Sequence, residues 1–319
     1  MVEHPGFGNH SRPHHLQSMP SRLRQAPETA RLLRKVAPAF FRKISEDHGR
    51  EIEPAPLHPQ PKLWPDRGLH AAWLGHSTVL LKIDGFTVLT DPVFGARVGL
   101  SVGPLTVGLK RLVSVAVPLS DLPAVDLVLL SHAHMDHFDL PSLRRLENNR
   151  TQVVTASRTS DLLRVRRYAQ VQEVRWNETV QAGPAKISAF EVAHWGARMH
   201  GDTYRGYNGY LIEIGSRRLV FGGDTAYTDS FKHLRSSKAI DLAIMPIGAY
   251  NPFIRVHCNP EEAWRMANQA GAEFVLPVHH QTFQLSHEPL LEPISRILEA
   301  AGSEPQRVCL QQIGQEFHL

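Results

Sequence analysis

The segment Leu129-Leu130-Ser131-His132-Ala133-His134-Met135-Asp136-His137 predicts a strand that ends in a metal site. The apolar run 126–130 is typical of a buried strand, and Asp139 with the residues after it predicts a helix start. In extended chain His132 and His134 project to the same side, and Asp136 and His137 follow where the chain turns. Isolated histidines are usually surface or core residues. Imidazoles and a carboxylate concentrated at one strand end are instead the ligands that Zn²⁺ accepts, and less selectively Mn²⁺ or Fe²⁺.

Composition predicts a globular chain without a membrane span. The 319 residues are 42% hydrophobic, enough for one large core or two small ones, and contain no apolar stretch of the ~18 residues that a span needs. The first ten residues contain no apolar signal core, so secretion is not expected. The cysteines, Cys258 and Cys309, have no C-x-x-C partner, which argues against a disulfide scaffold and favours the cytoplasm.

The net charge of +4 belongs mostly to the N-terminal segment. Residues 1–60 carry nine Lys/Arg and six Asp/Glu, a balance of +3, so the other 259 residues together contribute only +1. A nucleic-acid-binding protein more often shows a basic face with interspersed aromatic residues, and the sequence shows none. A nucleic-acid partner is therefore not expected.

Residues 1–60 are predicted to be a flexible basic arm, and residues 61–319 are predicted to form the main domain. Within the arm, residues 28–48 place apolar and basic side chains at helical spacing, interrupted by Pro38. Two interpretations stay open: a helix packed on the main domain, or a peripheral contact with anionic membrane. A proline-rich linker at 53–61 ends the arm.

The main domain is predicted to contain two packed sheets flanked by helices. Its strongest local signal is a hairpin, with strands at 78–83 and 86–90 around the turn Asp84-Gly85. Further strands are predicted at 126–131, 152–155, 171–174, 186–193, 208–214, 217–222, 241–246 and 274–278. Helices are predicted near 140–147, 159–168, 260–270 and 289–301. Two batches of strands with interspersed helices favour two sheets over one doubly wound sheet.

Three residues further along the chain occupy the same kind of position as the histidine segment, at the end of a predicted strand. His194, Asp224 and His279 each follow an apolar run that is predicted to be a strand. A charged group buried at such a position is costly unless a metal or an ion pair compensates it. Any one of them alone fits an ordinary turn, but the recurrence favours a shared site with two metals.

These residues resemble the successive metal motifs of the metallo-β-lactamase fold. The matching positions are His132-x-His134-x-Asp136-His137, His194, Asp224 and His279, with Asp91 of Thr90-Asp91-Pro92 as the first motif. Within that superfamily several phrases look like the N-acyl-phosphatidylethanolamine phospholipase D branch, and more distantly like ascorbate-6-phosphate lactonases. They are 73–79 (WLGHSTV), 90–94 (TDPVF), 223–227 (GDTAY), 245–250 (MPIGAY) and 259–263 (NPEEA).

The resemblance implies a four-layer αββα sandwich, of class α/β, with a dinuclear metal site. His132, His134 and His194 would hold one metal, Asp136, His137 and His279 the other, and Asp224 would bridge them. The ions are expected to be Zn²⁺, with Mn²⁺ or Fe²⁺ as alternatives, because a nitrogen and oxygen ligand set does not separate them.

The implied activity is phospholipase D-type hydrolysis of a phosphodiester by a hydroxide shared between the metals. Asp136 and His257 are predicted to be catalytic, His257 by binding phosphate or protonating the leaving group. Asp91 is expected to support a ligand histidine, and His76 either lines the pocket or is an ordinary loop residue. Two other functions stay open: a lactonase or other ester hydrolase, and a metal-binding regulatory protein without turnover.

Two departures from the phospholipase pattern bear on the substrate rather than on the metals. His280-Gln281 stands where that phospholipase has Trp-Gly, and Asn259 replaces an Asp. A small molecule or a phospholipid is expected as substrate, and the sequence makes no prediction of the oligomeric state.

Overall fold

The structure, a computed structural model, describes residues 47, 49–102 and 105–319. The predicted amphipathic helix at 28–48 and most of the predicted arm lie outside these residues. Residues 49–60 of the arm contact the domain: Arg50 donates from Nη1 to the carbonyl oxygen of Arg111 at 2.9 Å, and Ala55 is buried in the core. The boundary at residue 60 stays a prediction.

The described residues form strands and short helices in two sheets and a separate hairpin. The strands are β1 (Leu69–Gly75), β2 (Thr78–Ile83), β3 (Phe86–Thr90), β4 (Arg97–Val102), β5 (Leu105–Lys110), β6 (Leu127–Leu130), β7 (Gln152–Ala156), β8 (Gln170–Val174), β9 (Thr179–Ala182), β10 (Ala185–Phe190), β11 (Gly209–Ile214), β12 (Arg217–Phe221), β13 (Ile240–Pro246), β14 (Ala272–Val278) and β15 (Glu316–His318). The α-helices are α1 (Leu140–Leu146), α2 (Pro260–Ala270) and α3 (Glu292–Ala301). No helix in this described part of the chain is long and apolar enough to cross a membrane.

Both large sheets are mixed. The first has the order β15-β1-β2-β3-β6-β7-β8 and the second β14-β13-β12-β11-β10-β9. In the first sheet β15, β1, β2 and β3 pair antiparallel, and β6 to β8 are added parallel to β3. In the second sheet β9 to β12 pair antiparallel, and β13 and β14 are added parallel to β12. The predicted hairpin is confirmed as β2–β3, with positive φ at both Asp84 (47°) and Gly85 (86°), as a type I′ turn requires.

The main core lies between the sheets. It contains inward-facing residues of both, such as Leu81 and Leu129 from the first sheet and Ile212 and Phe221 from the second. A second apolar cluster joins the outer face of the second sheet to α2 and α3 through residues such as Met266. On the first sheet, α1 packs into the main core. The predicted αββα sandwich of two mixed sheets is confirmed.

The helix predicted near 159–168 is wrong. The chain there forms two 3₁₀ turns, Ser160–Leu162 and Val165–Arg167. The carboxylate of Glu173 on β8 accepts the backbone N–H groups of residues 158, 159 and 160, at 2.8 to 3.0 Å, and the chain becomes extended at Leu163. A carboxylate from a neighbouring strand thus holds a turn that local helical spacing cannot reveal.

The start of helix α2 gives a structural reason for Asn259, which replaces an Asp of the phospholipase pattern. Asn259 is its N-cap: its Oδ1 accepts the N–H of Glu262 at 2.9 Å, and the Glu262 carboxylate accepts the N–H of Asn259 at 3.1 Å. Asn and Asp cap helices about equally well, so Asn259 has a structural role that an Asp would also fill.

Candidate metal centre

One edge of the sandwich collects the ends of six strands. Pairing makes β1, β3 and β6 run in one direction in the first sheet, and β10, β12 and β14 run in one direction in the second. Each of these strands is followed within four residues by a polar side chain of the site. These are His76 after β1, Asp91 after β3, His132 after β6, His194 after β10, Asp224 after β12 and His279 after β14. All six side chains are buried.

The first group of candidate ligands is a triangle of histidine nitrogens, which we call the first pocket. Nδ1 of His134 lies 2.8 Å from Nε2 of His132 and 3.3 Å from Nε2 of His194. These three residues and Asp224 each offer a ligand atom, and the four atoms lie within 4.8 Å of one another.

In the first pocket, the hydrogen bond made by Nδ1 of a histidine determines whether its Nε2 carries a proton or a lone pair. His194 donates from Nδ1 to the carbonyl oxygen of Val256 at 2.8 Å. The Ser131 hydroxyl donates its hydrogen to the Asp91 carboxylate. Its Oγ therefore acts as the acceptor toward Nδ1 of His132, at 2.8 Å. With Nδ1 protonated, a neutral histidine presents a lone pair at Nε2. The lone pairs of His132 and His194 are both directed at Nδ1 of His134, so the three rings present nitrogen donors of the type that a metal cation binds.

The second group, which we call the second pocket, consists of His76, Asp136, His137 and His279, again with one ligand atom each within 4.8 Å. Oδ2 of Asp136 lies 3.0 Å from Nε2 of His76 and 3.6 Å from Nε2 of both His137 and His279. The sequence analysis left His76 between a pocket residue and a loop residue. The rule that identified His279, a polar residue directly after an apolar strand, also applies to His76 and could have found it.

Asp224 lies between the two pockets. Its Oδ2 is 3.1 Å from Nε2 of both His137 and His279 in the second pocket. The same oxygen is 3.9 Å from Nε2 of His132 and 3.8 Å from Nε2 of His194 in the first. One oxygen of this carboxylate therefore lies near histidine nitrogens of both pockets.

Asp91 supports the site from behind. Its Oδ2 accepts from Nδ1 of His137 at 2.6 Å, and its two oxygens also accept from the backbone N–H and the hydroxyl of Ser131 at 2.8 and 2.5 Å. The expected hydrogen bond between Asp91 and a candidate ligand histidine is thus present. It leaves Nε2 of His137 directed toward Asp224 and Asp136.

His257 also reaches the site. Its Nδ1 lies 3.7 Å from Oδ2 of Asp224, and its ring stacks on that of His279 with centroids 5.3 Å apart. The predicted catalytic role of His257 stays a proposal.

Burial and mutual charge set the protonation of these groups. Burial lowers the pKa of His132, and it lowers that of His134 to about 3. In the second pocket burial opposes charge, but Asp224 and Asp136 outweigh it and raise the pKa of His279 to about 9. Burial also opposes ionisation of Asp224, yet His137 and His279 hold its pKa well below the usual range. The first pocket therefore holds neutral imidazoles, whereas the carboxylates of the second pocket attract positive charge.

Buried polar atoms without partners test whether metal ions would fit. Within the described part of the chain, His137 Nε2, His279 Nε2 and Asp224 Oδ1 are buried and make no hydrogen bond. Such atoms are rare in folded proteins and often mark the position of a bound ion. The atoms are the donor types that divalent metals bind, so the residues fit a metal-dependent site, in which metal binding would replace protons.

Exposed apolar side chains occur on two segments that contact the first pocket. The Trp195 ring lies 4.5 Å from that of His194, between ring centroids, and 43% of the residue is exposed. The segment 251–256 carries exposed Phe253 and Ile254 and joins the pocket through the Val256 carbonyl. The mouth of the site therefore offers apolar surface beside polar ligands.

Comparisons with known proteins identify the family of the chain. Residues 87–280 match the family model described as a β-lactamase superfamily domain. An uncharacterised protein of Mycobacterium tuberculosis is 36% identical over 257 residues, which cover 77% of this chain and 68% of the relative. The N-acyl-phosphatidylethanolamine-hydrolyzing phospholipase D 1 of Caenorhabditis elegans is 31% identical over 258 residues, covering 73% and 70%.

Solved structures show the same fold. Igni18, a metallo hydrolase from the archaeon Ignicoccus hospitalis, matches with a TM-score of 0.59 at 20% identity, covering 79% of this chain and 99% of that chain.

Proposed function

The chain belongs to the metallo-β-lactamase superfamily of metal-dependent hydrolases, and we propose that it hydrolyses a phosphodiester with two divalent metal ions. The position of Asp224 supports two metals most directly, since one oxygen of this residue lies within 3.9 Å of histidine nitrogens of both pockets. We assign His132, His134 and His194 to one ion, Asp136, His137 and His279 to the other, and Asp224 to both. Zn²⁺ is the ion we expect.

The ions would supply a bound water of lowered pKa and stabilise negative charge in the transition state. The chain's own residues hold that arrangement in place. Asp91 and the Val256 carbonyl fix ring orientations, and Asp224 keeps the two pockets together. We propose that His257, whose Nδ1 lies 3.7 Å from Oδ2 of Asp224, contacts the phosphoryl group or the leaving alcohol.

A phospholipid is the substrate that we favour. The apolar mouth formed by Trp195, Phe253 and Ile254 supports this choice, because acyl chains need apolar surface beside the site that binds the phosphate. The C. elegans relative, named as a phospholipase D that hydrolyses N-acyl-phosphatidylethanolamine, points to the same class. A lactonase or other ester hydrolase is the alternative, since the same metals can activate water against a carbonyl carbon.

The decisive experiment measures metal and turnover in one preparation. Zinc per chain would be quantified, and hydrolysis of N-acyl-phosphatidylethanolamine, an aryl phosphodiester and a lactone compared. His134→Ala and Asp224→Ala should abolish hydrolysis and reduce bound zinc, whereas His233→Ala, at an exposed histidine, should change neither. Full turnover in both site variants would refute the assignment, and turnover of the lactone alone would favour the alternative.

For the N-terminal arm we propose a peripheral contact with anionic membrane on the cytoplasmic side, supported by its basic sequence. Because residues from 49 on contact the domain, the matched deletion removes only residues 1–46. Loss of co-sedimentation with anionic liposomes on deletion is expected, and unchanged binding would reject the role.

A further inference from the structure

His76 has a backbone conformation that few residues other than glycine adopt. Its φ is +54°, directly after Gly75 at +118°. In this left-handed region a side chain crowds its own backbone, so the conformation persists only where surrounding contacts hold it, commonly at functional sites.

Three hydrogen bonds hold this peptide. The N–H of His76 donates to Oγ1 of Thr282 at 2.6 Å. Its carbonyl oxygen accepts from Nε1 of Trp73 at 2.8 Å and from the N–H of His279 at 3.1 Å. The last bond joins the end of β1 in the first sheet to the end of β14 in the second.

The side chain of His76 contacts Asp136 in the second pocket. Its Nε2 lies 3.0 Å from Oδ2 of Asp136, and only 1% of the residue is exposed. An ionised carboxylate can only accept, so Nε2 carries the proton. A nitrogen that donates to Asp136 has no lone pair left for a metal. This geometry favours a supporting residue over a further ligand.

We propose that His76 is a positioning residue for the second pocket, orienting Asp136 through its side chain and His279 through its backbone. The inference rests on the proposed function in taking a divalent cation as the occupant of that pocket. Asp136 follows a strand of the first sheet, and His279 follows a strand of the second. By contacting both residues, His76 fixes their position relative to each other.

The test is zinc binding by the full-length protein after chelation, measured by calorimetric titration. His76→Phe keeps a ring but removes the donor, and should weaken one of two zinc sites by about 10- to 100-fold, as loss of partners behind metal ligands does. His76→Gln keeps a donor and should recover most of that affinity. His280→Phe is the matched control, because this neighbouring buried imidazole stacks on Trp73 and lies outside both pockets.

Unchanged zinc affinity in His76→Phe would overturn the positioning role. Equal weakening in the Phe and Gln variants would overturn hydrogen-bond donation as its basis. If His76→Phe does not fold, as judged by thermal melting, the Gln variant alone decides: near-normal affinity supports the proposal and a 10-fold loss contradicts it. Wild-type protein that binds two zinc ions but hydrolyses no phosphodiester would refute the proposed function and leave this inference standing.

Discussion

Asp91 shows how a residue that hydrogen-bonds to a candidate ligand histidine can set its orientation. It is fully buried and accepts hydrogen bonds from His137 and from Ser131, which in turn accepts from His132. A single carboxylate therefore orients one histidine of each pocket. Burial raises the pKa of Asp91, and the bond from His137 opposes that effect.

Replacement of this carboxylate should weaken zinc binding. In Asp91→Asn the amide can present an N–H to His137 and favour the wrong tautomer, so we expect zinc affinity to fall by about 10- to 100-fold. Calorimetric titration would measure it. Asp126→Asn is the control, because the Asp126 carboxylate accepts the backbone N–H of Thr87 at 2.8 Å, before β6 and so at the end of that strand away from the histidine segment. Equal zinc affinity in wild type and Asp91→Asn would contradict the role.

The residues of the site were largely predictable, and their spacing was not. Local sequence identifies His194, Asp224 and His279 because each follows an apolar strand, and the structure brings them together with the histidine segment. That Asp224 lies between the pockets depends on how two sheets pack, which no local pattern contains. His76 was left undecided because a Gly-His-Ser loop is also an ordinary turn.

Among the elements, α2 depends on its first residue. The Asn259 side chain satisfies a free N–H at the helix start. We expect Asn259→Ala to lower the free energy of unfolding by about 1 kcal/mol, and Asn259→Asp to change it little. Urea denaturation would measure both, with equal stability of all three proteins as the contrary result. Hydrolysis should persist in each.

Most strands with strong apolar runs were predicted, whereas the weak ones and the fully buried β1 were missed. The runs at 127–130 and 217–221 are buried strands, as their composition indicates. Strands β1, β4, β5, β9 and β15 were not predicted. β15 has three residues, β9 is mostly exposed, and β4 and β5 pair Gly99 with Gly108, so their sequences lack a clear alternation. Tertiary pairing, rather than propensity, stabilises such strands.

The segment 251–256 gives a test of the substrate at the level of a loop. Phe253 is 46% exposed beside the site, so Phe253→Ser should raise the KM for a phospholipid several-fold while leaving kcat/KM for a small aryl phosphodiester unchanged. Val165→Ser is the control, because this exposed residue lies before β8 at the opposite edge of the first sheet. An equal effect of Phe253→Ser on both substrates would indicate a structural effect rather than lipid contact.

At the scale of the molecule, the site joins the two halves of the sandwich. The histidine segment, Asp91 and His76 belong to the first sheet, whereas His194, Asp224 and His279 belong to the second. Buried Tyr210 reinforces the joint by donating from its hydroxyl to the carbonyl oxygen of Leu130 at 2.9 Å. Ions held by ligands from both sheets would therefore stabilise the folded chain as a whole.

Removal of metal should consequently lower global stability. A ligand that binds only the folded state adds about 2.7 kcal/mol at a free concentration 100 times its dissociation constant. We expect chelation to lower the urea midpoint of the whole transition, and added zinc to restore it. Asp224→Ala should lose most of this zinc dependence because it lacks the carboxylate between the pockets, whereas His233→Ala should keep it. An identical midpoint with chelator and with zinc would mean that the ions do not hold the two sheets together.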